Sequence, residues 1–483
     1  MTSRRLFLQY LLAATASFGA SGCATACLRA LANLTPAAGR GPDDAAVIVV
    51  GAGVAGLAAA RALTDAGVPV IVLEARDRIG GRTWTQDVGE AAVDMGAAWI
   101  HGVDGNPVSQ YYAAVGLSHD RHDVSNQSVV YDAVSQTEPS DAEYEAASRF
   151  ARELQNALDR LLREADGDDL SMAAAIQALL DEQGLQGDAR RRARFLAEDG
   201  ASSYAGITDQ LSVAMLQRSA ENEFGGVDHL PTGGYRGLVD SLAAGLEVRL
   251  GTPVDHITTT EDGVIVRTGA GEEIAASHVI VTVPLGVLKA GVITFDPPLP
   301  EDKQDAIDNT EMANLEKVVL TFAAADWPEI ANGTALIIEG VGEERLWANW
   351  GDFTQYAGAP TLVCLYDAEA ARAVQDSPMT EDDIVAAATA SLEEALGRSL
   401  PAPVATAVTT WHRDPWARGS YSMPTVGRGW DDYDVRAEPV MGRLLFAGEA
   451  TNGELSSTVQ GALVSGLREA RRIEEAAALA GLC

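Results

Sequence analysis

The sequence predicts an α/β protein. Its core is a Rossmann-like dinucleotide-binding domain assembled from discontinuous segments, and two insertions form an α+β second domain. Three observations carry this. A short apolar β-branched run, 47–50, enters glycines at the G-x-G-x-x-G spacing. A second such run, 70–73, ends in an acid, Glu74. Two long stretches, 103–230 and 292–408, then interrupt a small-residue pattern that resumes on either side.

The first unit reads from its residues. Val47 to Val50 suit a strand covered on both faces. Gly51 allows the tight turn, Gly53 lets backbone approach a pyrophosphate, and Gly56 lets the helix pack close to the strand. The helix end offers unpaired N–H groups and a positive dipole to that phosphate. The helix runs to Gly67. Glu74 falls near the interval of roughly 20 residues expected of an acid that binds ribose hydroxyls. Arg76 and the pair Gly80-Gly81 beside Arg82 repeat the theme of close backbone with a guanidinium counter-charge. The run 93–102, containing Gly96, Ala97, Ala98, Trp99 and His101, suits the surface of a flat ring.

At 483 residues the chain can bury a large core in two domains. A net charge of −34 repels nucleic acid and anionic membranes and attracts cations. The first 27 residues read as a signal segment: Ser3-Arg4-Arg5-Leu6-Phe7-Leu8 before an apolar run resembles a twin-arginine signal. Ala20-Ser21-Gly22-Cys23 resembles a lipoprotein box with Cys23 as a lipid anchor, and plain cleavage after Ala24-Thr25-Ala26 is the alternative. The expected location is therefore the bacterial periplasm. Residues 28–43 are a linker. Four cysteines, two of them in or beside the signal, do not make a disulfide framework, and no metal-ligand cluster is evident.

The dinucleotide domain is expected over 44–102, 231–291 and 409–475. The insertion 103–230 reads as largely helical, with Phe150, Leu154, Leu158 and Leu161 at helical spacing. Helices are expected over 143–166, 172–183 and 188–199. Strands are expected at 247–250, 254–259, 264–268 and from 279. The insertion 292–408 carries strand patterns at 317–322, 335–338 and 362–365 and a helix over 383–396. A last helix begins at Thr458-Val459.

Six segments in order resemble the flavin-containing amine oxidase family, nearest its polyamine oxidase-like branch. They are GAGVAG (51–56), EARDRIGGR (74–82), GAAWIHG (96–102), VIVTVPLGVLK (279–289), NLEKVVLTF (314–322) and FAGEAT…STVQGALVSGLREA (446–470). The resemblance implies that the dinucleotide is FAD. It places Gly51, Gly53, Ala55 and Gly56 at the diphosphate and Glu74-Ala75 at the adenosine ribose. Arg76, Gly81 and Arg82 fall by the phosphates, and Val254 at adenine. Gly96 to Trp99, Trp411 and Trp416 line the flavin; Gly448-Glu449 contact the ribityl and diphosphate. Thr458 and Val459 begin a helix aimed at the flavin. Lys317 matches the family lysine that holds a water near flavin N5, the catalytic position.

For substrate, Tyr421 matches one of two tyrosine walls of the monoamine oxidases, while Thr458 stands where the second would be. His101 resembles a polyamine oxidase histidine. Glu221, Glu223 and Asp228 lie where such enzymes carry acids, with Glu223 the candidate for a substrate cation. The implied reaction oxidises a small amine, a polyamine or related alkylamine. Hydride passes to flavin N5, the imine hydrolyses to aldehyde and amine, and O2 becomes hydrogen peroxide. A dehydrogenase using quinone or cytochrome and an amino-acid oxidase are the alternatives; a flavoprotein without turnover conflicts with the intact Lys317 segment.

Overall fold

The structure, a computed structural model, describes residues 47–121, 128–132, 140–165, 169–201, 205–220, 224–330, 335–339 and 346–480. The signal (1–27), the linker (28–43), Cys23, Glu221 and Glu223 lie outside the described residues.

A five-stranded parallel sheet is the frame. Its order is Leu444–Phe446, His278–Val281, Val47–Val50, Val70–Leu73, Val248–Arg249. The first strand is central, and Val47, Ile48 and Val49 are fully buried. Alternation sends Val47 and Val49 into a helical layer built on Val54–Asp65 and Val459–Ala480. Ile48 and Val50 meet Ile257 and Val266 of a second, four-stranded sheet. This two-sided burial explains the unbroken valine–isoleucine run. The two helices lie close: a Cβ on Gly466 would stand 2.1 Å from the Ala55 carbonyl oxygen.

Two expected boundaries move. Helix Pro107–Val115, placed in the first insertion, packs Val108, Tyr111 and Tyr112 into the helical layer of the dinucleotide domain. Strand Thr294–Asp296, placed in the second insertion, pairs with Val254–Thr259. Apolar burial and an available sheet edge, respectively, hold these segments to the frame.

The first insertion contains helices Asp141–Glu164, Met172–Glu182, Gly187–Ala201 and Val213–Ala220. Phe150, Leu154, Leu158 and Leu161 are buried in one cluster. The insertion also contributes a strand, Ser128–Asp132, which the helical reading omitted. It pairs with Ala335–Glu339 of the second insertion. The two insertions thus share one six-stranded sheet, ordered Ala405–Val408, Leu315–Thr321, Thr361–Asp367, Asn349–Asp352, Ala335–Glu339, Ser128–Asp132.

Candidate active site

One cavity of about 470 Å³ runs between the parallel sheet and the six-stranded sheet. The glycine turn forms one end. Gly51 has φ +107°, a conformation open mainly to glycine, and turns the chain out of the strand. Gly56 lies behind the cavity wall, where a Cβ would stand 2.0 Å from the Gly51 carbonyl oxygen. Gly53 and Ala55 face the cavity, and nothing lies within 4 Å of a Cβ built on Gly53. Helix Val54–Asp65 has no side-chain cap, so its first N–H groups are available to an anion.

Glu74 closes this end. Its carboxylate, 4 % exposed, accepts from Ala52 N at 2.7 Å and Arg76 N at 2.8 Å. It therefore braces the glycine turn as well as facing the cavity beside Ala75 and Val254. Both expected phosphate-side arginines carry carboxylate partners. Arg76 meets Asp414 at 2.8 Å, and Arg82 meets Glu449 at 2.9 Å. Glu449 also accepts from Ser422 N, Ser422 Oγ at 2.6 Å and Ser457 N at 3.1 Å. Each pair staples segments more than 330 residues apart in sequence.

Helix Val459–Ala480 starts at the opposite wall. The Thr458 hydroxyl accepts from Gly461 N at 3.0 Å and donates to the Leu455 carbonyl at 2.7 Å. It is a helix cap that also lines the cavity, which gives the residue a structural reason to be threonine. Gly448 lines the same wall.

The long side is aromatic. Trp411, Trp416, Trp99 and Tyr421 all line it, beside Gly96, Ala97 and Ala98. The Trp411 indole donates to Met95 O at 3.3 Å. Gly81 lies where the glycine turn meets the next loop: its Cβ would stand 3.4 Å from Gly53 Cα.

Lys317 lies inside, 3 % exposed. Its Nζ donates to the Asp94 and Gly96 carbonyls, both at 2.7 Å, and sits 5.6 Å from the Trp99 ring centre. Two of its three donors are thus committed. Burial lowers its pKa to about 8, opposed by the negative charge of Asp94. Asp94 is itself buried and pushed up to about 6, against hydrogen bonds from Thr85 Oγ1 at 2.5 Å and Tyr235 N at 2.9 Å.

At the solvent end stands His101, its ring stacked on Trp99 at 6.5 Å. Its Nδ1 lies 2.9 Å from Asp228 Oδ2, and Asp228 Oδ1 accepts from Gly102 N at 2.9 Å. The side chains are 56 % and 42 % exposed, in contrast to Lys317. Trp99 thus connects a buried cation to an exposed acid–imidazole pair. Asp228, within the acidic run but not the member singled out from sequence, is the described acid at this end. Asp94, whose carbonyl and charge both face Lys317, was not anticipated. Leu365 and Asp367 also line the cavity. The pleat of strand Thr361–Asp367, paired through Lys317↔Leu365, puts both on the lysine's face, and its continuous apolar run carries no alternation that would have marked them.

The donor set fits a dinucleotide. The glycine cradle, the uncapped helix end, the buried Glu74 carboxylate and four aromatic side chains line one cavity. A family model described as flavin containing amine oxidoreductase matches residues 54–474. Lysine-specific histone demethylase 1 homolog 2 of Arabidopsis thaliana is 34 % identical over 441 residues, covering 89 % of this chain and 58 % of that protein. Polyamine oxidase 2 of Arabidopsis thaliana is 32 % identical over 437 residues, covering 88 % and 87 %. The chain spans about half the length of the demethylase homologs it matches. A wild-type putrescine oxidase bound to putrescine superposes with a TM-score of 0.72 at 24 % identity, over 89 % of this chain and 99 % of that one, a likeness of fold.

Proposed function

The chain belongs to the flavin-containing amine oxidoreductase family, with FAD as its cofactor, and from that premise we propose that it is an oxidase of polyamines or related alkylamines. The observation that carries the proposal is Lys317, a buried cation fixed by two backbone carbonyls on the cavity that also holds the glycine cradle.

Bound FAD supplies the acceptor for two electrons and a hydrogen. The chain's own residues prepare the amine. The reacting nitrogen must be neutral for its lone pair to assist loss of hydride from the adjacent carbon. Trp99, Tyr421, Trp411 and Trp416 remove water from that end, which lowers an amine's pKa. The Lys317 ammonium, a like charge, acts in the same direction. Its uncommitted donor is free to hold a water or an oxygen species in place. At the solvent end Asp228 offers a carboxylate to a second, charged ammonium, with His101 fixing its orientation. In the overall reaction the amine, water and O2 give an aldehyde, a shorter amine and hydrogen peroxide.

A second reading, oxidation of an N-methylated lysine side chain, is favoured by the demethylase homologs, matched at 32–34 % identity. The chemistry at the nitrogen is the same, and the acceptor of the distal charge differs. One panel separates them. FAD-loaded protein is given spermidine, spermine, putrescine, acetylated polyamines, monoamines, amino acids and a methyl-lysine peptide, with peroxide detection. Peroxide from di- and polyamines is expected. Peroxide from the peptide alone would favour the second reading. Flavin reduction that passes to an artificial dye but yields no peroxide would make it a dehydrogenase.

The proposal extends to an exported, periplasmic protein addressed by residues 1–27. Fractionation of cells expressing the tagged full chain tests it, and retention in the cytoplasm would count against it.

A further inference from the structure

Glu316 precedes the site lysine and is fully buried. Strand alternation sends its side chain away from Lys317, to the other face of the six-stranded sheet. There one carboxylate oxygen accepts from the Thr409 hydroxyl at 2.5 Å and the other from His412 N at 3.0 Å. Thr409 in turn accepts from Lys317 N at 2.7 Å, and its own N–H donates to the Lys317 carbonyl at 3.0 Å. His412 follows Trp411, whose indole reaches Met95 and whose ring edge lies 3.3 Å from where a Gly96 Cβ would stand. Gly96 is itself one of the two carbonyls that hold the Lys317 ammonium. The network therefore forms a loop: Glu316, Thr409, Lys317, Gly96, Trp411, His412 and back to Glu316.

We propose that Glu316 is a positioning residue that sets Trp411 and Lys317 relative to one another, so the spectrum and turnover of bound FAD follow the charge on its carboxylate. As a carboxylate it accepts both bonds; once protonated it accepts fewer, and the tie to His412 N or Thr409 Oγ1 weakens. Burial raises its pKa to about 7, opposed by the hydrogen bonds from Thr409, His412 and Trp411. Other charged or titratable groups face it. Asp414 raises it further, and Tyr366 lies near enough to feel its charge. Arg413 lies by Tyr366, and the His412 imidazole sits 3.3 Å from Asp376.

The inference rests on the FAD assignment but not on the identity of the amine. Its first readout therefore needs no substrate: visible circular dichroism of FAD-loaded protein from about pH 5 to about pH 9. Asp94 near 6 and Lys317 near 8 titrate in the same range and in every variant; between them wild type is expected to show a transition near pH 7 that Glu316→Gln abolishes while retaining FAD. Thr409→Val, which removes a hydrogen bond to the charged form, is expected to move the transition up by about one pH unit. It keeps the proposal testable if Glu316→Gln does not hold FAD. Turnover on whichever amine the panel identifies should show the same inflection and the same two responses. A transition near pH 7 that persists in Glu316→Gln, that stays in place in Thr409→Val, or that disappears in His412→Asn instead would overturn the proposal. A wild-type spectrum flat across the range would do so as well.

Discussion

Replacing Lys317 by methionine separates a residue that works from one that only supports. The exchange keeps the volume of the stem and deletes the ammonium. The Asp94 and Gly96 carbonyls then lose their donor, at a cost of about 1–3 kcal/mol each. Against this stands the penalty of burying the charge. A fall from 10.5 to about 8 disfavours the ammonium by about 3 kcal/mol at neutral pH. The two nearly offset, so Lys317→Met should be destabilised by no more than about 3 kcal/mol at pH 7. It should still bind FAD and turn yellow. Turnover should fall by about a hundredfold or more, the scale of a lost positioned proton donor.

The pH dependence gives a sharper test. The folded pKa lies below the unfolded one. Between them the unfolded chain binds more protons at this residue, so the Lys317 contribution to stability rises with pH over that window. From pH 7 to about pH 10 the gain attributable to Lys317 is about 2–3 kcal/mol. The variant lacks it. Urea unfolding of both proteins at the two pH values isolates the difference. Equal pH responses would refute the buried ammonium, and unchanged turnover would refute its role whatever the stability.

Three further outcomes follow from single contacts. Gly56→Ala places a Cβ 2.0 Å from a backbone oxygen that cannot step aside, so the purified protein should lack flavin by absorbance after gel filtration. Glu449→Gln leaves Arg82 without its charge and turns an amide toward the donors of Ser422 and Ser457. A cost of about 3 kcal/mol predicts at least about a hundredfold weaker FAD binding, read by titration of the apoprotein. Asp228→Asn removes a partly exposed charge worth about 1 kcal/mol, so KM for a diamine should rise about fivefold while KM for a monoamine stays put; equal effects on both would place Asp228 outside the distal subsite.

Much of the frame was legible because its signals are local. Val47–Val50 and His278–Val281 are short runs buried on both faces, and glycine spacing marks the turn without reference to anything distant. The six-stranded sheet was less so. Asn349–Asp352 is Asn-Trp-Gly-Asp, with no alternation to read, and Ser128–Asp132 is a strand only because it borrows an edge some 200 residues away. Helix Pro107–Val115 shows the complementary failure: its helicity is local, but the surface it covers is set by tertiary packing.

The site divides along the same line. Backbone-recognition residues announce themselves by type and spacing, since a phosphate needs glycine and a helix end wherever it binds. Electrostatic partners do not. Asp228 gains its meaning from His101, 127 residues away, and Arg76 is committed to Asp414 at a separation of 338. Asp94 matters because its charge opposes the desolvation of Lys317. Glu316 and Lys317 make the point within two adjacent letters. Both read as ordinary polar residues in a strand, and both are buried because the pleat delivers them to opposite faces, each already supplied with partners from other segments. The lysine could be found by resemblance to a motif. The glutamate could be found only from the fold, because what it holds in place is the loop of Trp411, which closes against the lysine's own anchor at Gly96.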